Sequence, residues 1–307
     1  PPFFKLKASD PRLPLYRLEA KNKNTSNICS FFLEKSLRLA KYVALVFPKF
    51  LLNTPEFSTT RAELAQKSVD AILDFGEKGF PGILVETIAI FINNLAAPAN
   101  TKVFSLTHRL HLTQPQAYIF DPELPYWIIY RNQLFDSVCR KLDFDVFEVF
   151  RDRQLTNKLL SSSGELRVLK SRNLSDDGKE ILNIPGYDSY ISYAAAKPLS
   201  VFQYLDAPNV YLTPNMTYKP RMMKKPPHCV VNGSLAILIP KGGIVPTEKQ
   251  LAYFSSEEYR AFYQIARNFQ TRSLNVDACS VFFYGLLRDE AKPAPEKFDT
   301  SVQLSFL

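Results

Sequence analysis

Two strand-length apolar runs joined by a glycine-punctuated loop constrain this chain more than any other feature. Val69–Phe75 and Glu86–Ile92 are rich in Ile, Val, Thr and Phe, the composition of buried strands. Between them stand Gly76, Gly79 and Gly82, three of only ten glycines in 307 residues. Glycine marks backbone that needs positive φ or close approach by another group, so the loop that carries Phe80-Pro81 is predicted to have a defined shape. A large aromatic at such a tip either packs into a neighbour or is offered to a ligand.

The surrounding pattern extends the sheet. After Pro1-Pro2-Phe3-Phe4, the segment from Lys5 to about Asn27 is polar and without period, and reads as a surface loop. Ser30 to Ala40 places Phe32, Leu33, Leu37 and Leu39 among Glu34, Lys35 and Arg38, an amphipathic helix of about three turns. Tyr42 to Phe47 reads as a strand, and Thr54-Pro55 starts a helix that runs to about Lys67. Helix, strand, helix, strand, loop, strand suits one side of a wound α/β sheet. The small, proline-bearing segment Leu95 to Lys102 is the expected boundary, giving domains 1–97 and 103–307.

Beyond it the texture is α+β. Arg131 to Leu142 puts Leu134, Phe135, Val138, Cys139 and Leu142 on one helical face, and Leu166–Leu169, Val210–Leu212 and Leu235–Ile239 read as short strands. Ser255 and Glu258 predict a capping box for a helix that reaches Phe269, and Ser280 to Leu287 a strand. The segment from Asp289 to Thr300 reads as a mobile tail.

Composition narrows the chemistry. A net charge of +8 permits a polyanionic partner. Cys29, Cys139, Cys229 and Cys279 form no CxxC pair, which suits free thiols and a cytoplasmic location. No apolar run reaches the length of a membrane span, so no membrane partner is expected. His108 and His111 could share a helical face but read as solvated or core histidines, His228 reads as part of a turn, and no Ser/His/Asp order suggests a triad. Asp143, Asp145 and Glu148 alternate with Phe144, Val146 and Phe147 and read as a solvated face. No metal centre is expected.

The chain opens with Pro1-Pro2-Phe3. This motif, followed in order by SFFLEKSLRLA, YVALVFPKFLL, NTPEF, VDAILDFGEKGFPG and ETIAIFI, resembles the second half of the catalytic domain of DNA adenine-N6 methyltransferases of type II restriction-modification systems. Downstream, LRVLKSRNL, VVNGSLAILIPK and YRAFYQIARNFQTRSLNVDACSVFF are similar to the target-recognition domain of that group. The resemblance implies the C-terminal half of a wound Rossmann-like methyltransferase sheet, residues 1–97, followed by an α+β target-recognition domain, residues 103–307. It also implies S-adenosylmethionine as cofactor, bound mainly by residues upstream of this chain, and adenine N6 as acceptor.

The family motif is Asn-Pro-Pro-Tyr/Phe. Here it lacks only the Asn, which is expected just before Pro1. The adenine amine is a poor nucleophile because its lone pair is conjugated into the ring, and two acceptors for its hydrogens favour attack on a sulfonium methyl. By resemblance those acceptors are the Asn side chain and the carbonyl of Pro1, with Pro2 in the same motif and Phe3 and Phe80 stacking on a base flipped from the duplex.

Double-stranded DNA is the implied partner, with a cognate restriction endonuclease in the same system but no required contact. Ala207 to Thr247 contains no Asp or Glu and holds Lys219, Arg221, Lys224, Lys225 and Lys241. Lysine suits phosphate and arginine suits a base edge, so Lys219, Arg221, Lys224 and Lys225, with Arg172 and Arg272, are the expected DNA contacts. A solvated basic loop would share this composition. A non-catalytic DNA specificity subunit, and the methyltransferase part of a fused nuclease-methyltransferase, are the alternative readings of the whole.

Overall fold

The two apolar runs become the middle of a five-stranded sheet. The computed structural model describes residues 1–80, 82, 85–270 and 275–291, and the chain forms two units. The first contains 1–132 and 267–270; the second contains 133–266 and 275–291.

The first unit comprises α1 (Arg12–Glu19), α2 (Ile28–Leu39), β1 (Tyr42–Pro48), α3 (Ser58–Ala65), β2 (Ser68–Gly76), β3 (Thr87–Asn93), β4 (Asn100–Ser105), β5 (Leu110–Pro115) and the short α4 (Gln116–Ile119). The strand order is β1-β3-β2-β4-β5. β3 is antiparallel to both β1 and β2, and β4 is parallel to β2, so β1, β2 and β4 point the same way. Strands that run parallel need a crossover, and α3 lies within the one from β1 to β2. β3 then returns into the space between them. Ile88, Ile90 and Ile92 of β3 are buried, as are Leu33 of α2 and Leu64 of α3. Each such side chain contributes about 1.5–3 kcal/mol by leaving water. β1 ends the sheet, with Tyr42 exposed and no strand on its outer edge among the described residues.

Two expectations are corrected here. Lys5 to Asn27 is not a surface loop: it contains α1, and Asn22, Thr25 and Asn27 are buried. Asn22 donates to the Glu56 carbonyl and the Thr60 hydroxyl, both at 2.8 Å, while the buried Glu34 carboxylate accepts the Lys21 and Asn22 N–H groups. These polar side chains fasten the segment together with only three buried apolar ones, Leu6, Leu13 and Ala20, which are too widely spaced to stand out as a helical stripe in the sequence. Nor do the units divide within Leu95 to Lys102. The last residues of that stretch belong to β4, Ala71 pairs with Lys102, and the Thr101 hydroxyl donates to the Val69 carbonyl at 2.7 Å. The division falls after Asn132.

The second unit comprises α5 (Gln133–Lys141), β6 (Leu142–Asp143), β7 (Phe147–Phe150), β8 (Leu166–Leu169), β9 (Ser189–Ile191), α6 (Tyr193–Ala196), β10 (Tyr211–Pro214), β11 (Met223–Lys224), β12 (Cys229–Val231), β13 (Leu235–Pro240), α7 (Glu248–Tyr253), α8 (Glu257–Ala266) and β14 (Leu286–Leu287). Its strands form an antiparallel sheet β11-β10-β13-β7, a three-stranded sheet β12-β8-β9 and the pair β14-β6. Val168, Leu169, Ile191, Leu212, Leu235 and Ile237 form one core, and α5 packs on α8 through Phe135 and Phe262, whose rings lie 5.0 Å apart.

The expected capping box at Ser255 and Glu258 does not form. Ser256 caps α8 by accepting the Tyr259 N–H at 3.1 Å, and Glu258 pairs instead with Lys141 at 2.5 Å. Ser280 to Leu287 is not one strand: Ser280–Phe283 is a 3-10 turn held by Asp277, and only Leu286–Leu287 pairs, as β14. The expected tail lies outside the described residues beyond Ala291.

Candidate functional site

The carboxyl ends of β1, β2 and β4 lie along one edge of the sheet, where Pro48 and Gly76 both pair with Thr87 of the intervening β3 and Asp74 pairs with Ser105. In open α/β sheets this edge is where ligands bind. From it springs the loop that carries Phe80. A bulge at Asp74–Gly76 takes the Gly76 N–H off the ladder, and the Asp74 Oδ1 accepts it at 2.9 Å. Gly76 has φ +55°, and a β-carbon on Gly79 would stand 2.4 Å from the Thr87 hydroxyl and 3.0 Å from Phe75. Both positions therefore require glycine, as the sequence predicts. Phe80 is 42% exposed, so it is not a core residue. Pro81 lies outside the described residues.

Beneath the loop sits a buried charge pair that the sequence reading did not single out. Lys49, the residue after β1, places its ammonium 2.6 Å from Asp74 Oδ2, with both side chains at most 2% exposed. The Tyr130 hydroxyl donates to the same oxygen at 2.5 Å. The Lys49 backbone N–H donates to the Glu86 carbonyl at 2.8 Å, so one residue holds the outgoing leg of the loop through Asp74 and the returning leg through Glu86. Burial, and then the charge of Asp74, hold the Tyr130 phenol well above its ordinary pKa, so it remains a donor. Only a charged residue alone in an apolar run, as in VFPKFLL and AILDFG, could have signalled this pair.

The turn between β4 and β5 joins the same edge. The Leu106 N–H donates to the Asp74 carbonyl at 2.9 Å, and Thr107 lies against Gly76. His108 is exposed in that turn and His111 lies on β5, so no helical face joins them. The His108 imidazole is held below its ordinary pKa, chiefly by partial burial and then by Lys49. Its ring packs 4.5 Å from that of Phe269.

The backbone at Phe4 and Lys5, just after Phe3, lies toward this end of the sheet too. α2 ends at Leu39 just before β1 begins at Tyr42, so its first turn lies toward the carboxyl end of β1. The Ile28 N–H at that turn donates to the Phe4 carbonyl at 3.1 Å, and Lys5 pairs with Glu56, beyond β1, at 2.5 Å. Phe3 is 36% exposed.

In the second unit the expected DNA contacts divide. Arg221 is buried and donates to the carbonyls of Lys219, Ser171 and Leu174 at 2.9, 3.1 and 3.3 Å. Lys225 is buried, with its ammonium on the carbonyls of Leu205 and Pro226 at 2.7 and 3.0 Å and its pKa lowered by burial. These two hold the protein together, which corrects their assignment to base and phosphate. Lys219 is exposed but paired with Asp176 at 2.7 Å, and Lys241 with Asp145 at 2.6 Å. The acid-free window is thus answered by carboxylates from elsewhere in the chain. Lys224, on the edge strand β11, and Arg172, 4.8 Å over the Tyr187 ring, are exposed. Arg272 lies outside the described residues. Among the described residues no group of three or more His, Cys, Asp or Glu side chains could hold a metal ion, and no helix is long and apolar enough to cross a membrane.

No protein-family model matches the chain, and no curated protein matches it in sequence. Among solved structures, that of the type IIL restriction-modification enzyme MmeI in complex with DNA aligns with a TM-score of 0.52 at 10% identity, over 92% of this chain and 45% of MmeI. The chain shares its fold with part of MmeI. The type IIG restriction endonuclease BpuSI aligns at a TM-score of 0.39 and 10% identity, over 93% of this chain and 46% of that enzyme. The chain spans less than half the length of either enzyme.

Proposed function

We propose that this chain is part of a site-specific DNA methyltransferase of a restriction-modification system, and that it presents a flipped adenine for N6 methylation at the carboxyl edge of the first sheet. The observation that carries the reading is the exposure of both expected stacking aromatics, Phe3 and Phe80, the second on a loop at that edge shaped by glycine and anchored by Lys49 and Asp74. Stacking aromatics are what an enzyme needs to hold a base outside the duplex. The fold shared with MmeI supports the same class, and the description of MmeI as a restriction-modification enzyme favours the alternative in which nuclease and methyltransferase are fused.

The Pro1 carbonyl accepts an amino hydrogen of adenine, which favours attack by the amine on a sulfonium methyl. Proline restricts the backbone that aims the carbonyl. S-adenosylmethionine supplies the electrophilic methyl, and no residue of this chain is assigned to hold it. The second unit acts as the target-recognition domain, with Lys224 and Arg172 as its candidate phosphate contacts.

The test is nucleoside mass spectrometry of duplex DNA treated with the complete enzyme and S-adenosylmethionine. N6-methyladenine is expected, with Phe80→Ala slowing its formation about tenfold or more, since stacking contributes roughly 1–3 kcal/mol per base. Methylcytosine as the product, or undiminished turnover in Phe80→Ala, refutes the reading.

A further inference from the structure

Asn268 and Phe269, the first residues after the chain returns to the first unit at Arg267, both have left-handed backbones, with φ of +51° and +54°. Asparagine adopts this region readily, but for a residue as bulky as phenylalanine it is an outlier that persists only where the surroundings impose it. Here they do. The Asn268 side chain, fully buried, accepts the Ile129 N–H at 2.9 Å and donates to the Trp127 carbonyl at 2.7 Å. Gln270, also buried, donates to the Lys49 carbonyl at 3.3 Å and to the Asn53 side chain. Both neighbours of Phe269 are clamped, so Phe269 is placed.

Burial is not what the placement achieves, because Phe269 is only half-buried. Its ring packs against the exposed His108 and lies edge-on to Tyr130, with centroids 5.1 Å apart. His108 stands in the turn that touches Gly76, the start of the Phe80 loop, and its lowered pKa favours the neutral imidazole. Arg109, exposed beside it, adds a cation. A strained aromatic, a neutral imidazole and an arginine on one ligand-binding edge match the surface that unpaired nucleobases stack on, with a charge for the adjoining phosphate.

We propose that His108 and Phe269 form a second stacking surface for an unpaired nucleobase, separate from the Phe3 and Phe80 positions. This rests on the DNA reading above but not on adenine methylation. Two fluorescently labelled duplexes, one fully paired and one with a single bulged adenine, are titrated with the chain by anisotropy. The wild type is expected to prefer the bulged duplex. His108→Ala and Phe269→Leu should each weaken binding to it about tenfold and leave the paired duplex unaffected, while His108→Phe retains the preference. His108 is exposed, so its variants report even if Phe269→Leu unfolds. No preference in the wild type, no loss in His108→Ala, or equal losses on both duplexes overturns the proposal. Preference for the bulge in a chain whose complete enzyme leaves adenine unmethylated would keep this surface and remove the methyltransferase reading.

Discussion

Lys49→Met removes the cation of the buried pair and keeps most of the stem. The wild-type ammonium lies 2.6 Å from Asp74, with side-chain exposures of 2% and 1%, so water cannot replace it. Breaking a buried pair by removing one partner costs about 3–5 kcal/mol, because the other charge stays buried and uncompensated. Asp74 keeps two further donors, the Tyr130 hydroxyl and the Gly76 N–H, which places the cost near the lower end, about 3 kcal/mol. At about 3 °C per kcal/mol this lowers the melting temperature by about 10 °C. Asp74→Asn alone should cost a similar amount, by orphaning the ammonium. In the double variant the amide can still accept from Gly76 and can donate to the phenol oxygen, and no charge is left unpaired. Its loss should therefore be smaller than either single loss. Urea unfolding of the four proteins gives the coupling energy directly. A Lys49→Met loss below about 1 kcal/mol, or losses that add within about 0.5 kcal/mol, would refute the argument that the pair acts as a unit beneath the Phe80 loop.

Arg221→Ala should destabilise the second unit by about 1–3 kcal/mol, since three carbonyls lose their donor, whereas Lys224→Ala should leave stability unchanged, weaken DNA binding and lower the salt slope by about one unit. Denaturation and titrations at several salt concentrations separate the two; a DNA-specific loss in Arg221→Ala would restore it as a reader. Cys29 is fully buried and its thiol is pushed up to about 12, mainly by burial, so iodoacetamide should label it only after unfolding, as peptide mass spectrometry would show. His108 has a folded pKa below its unfolded value of about 6.5, so its contribution to stability is complete above that pH and is lost as the pH falls through the lowered folded value. His108→Phe should flatten the stability profile in that window, and an unchanged profile would remove His108 as its source.

The strands β1, β2 and β3, the helix α2 and the shaped loop were legible in the sequence because each rests on local periodicity and on glycine, whereas α1, β4 and β5 were not. Val69–Phe75 and Glu86–Ile92 paired as neighbouring strands, the helix predicted over Ser30 to Ala40 formed as Ile28–Leu39, and Leu166–Leu169 formed with the predicted bounds. The glycine spacing also showed that Phe80 stands on a defined loop, although not whether it is exposed. What the sequence could not convey depends on groups distant along the chain. The Lys49–Asp74–Tyr130 cluster joins residues that only the β1–β3–β2 arrangement brings together, and the clamps around Phe269 reach back to Trp127, Ile129 and Lys49. Charge misled for the same reason. A window without acids looked free to bind phosphate, but a carboxylate or carbonyl within about 3 Å decides whether a cation is available, and the fold supplied Asp176 to Lys219, Asp145 to Lys241, and backbone carbonyls to Arg221 and Lys225. Periodicity is a property of neighbours along the chain and can be read from the sequence, whereas the satisfaction of a charge is a property of neighbours in space, which only the tertiary structure determines.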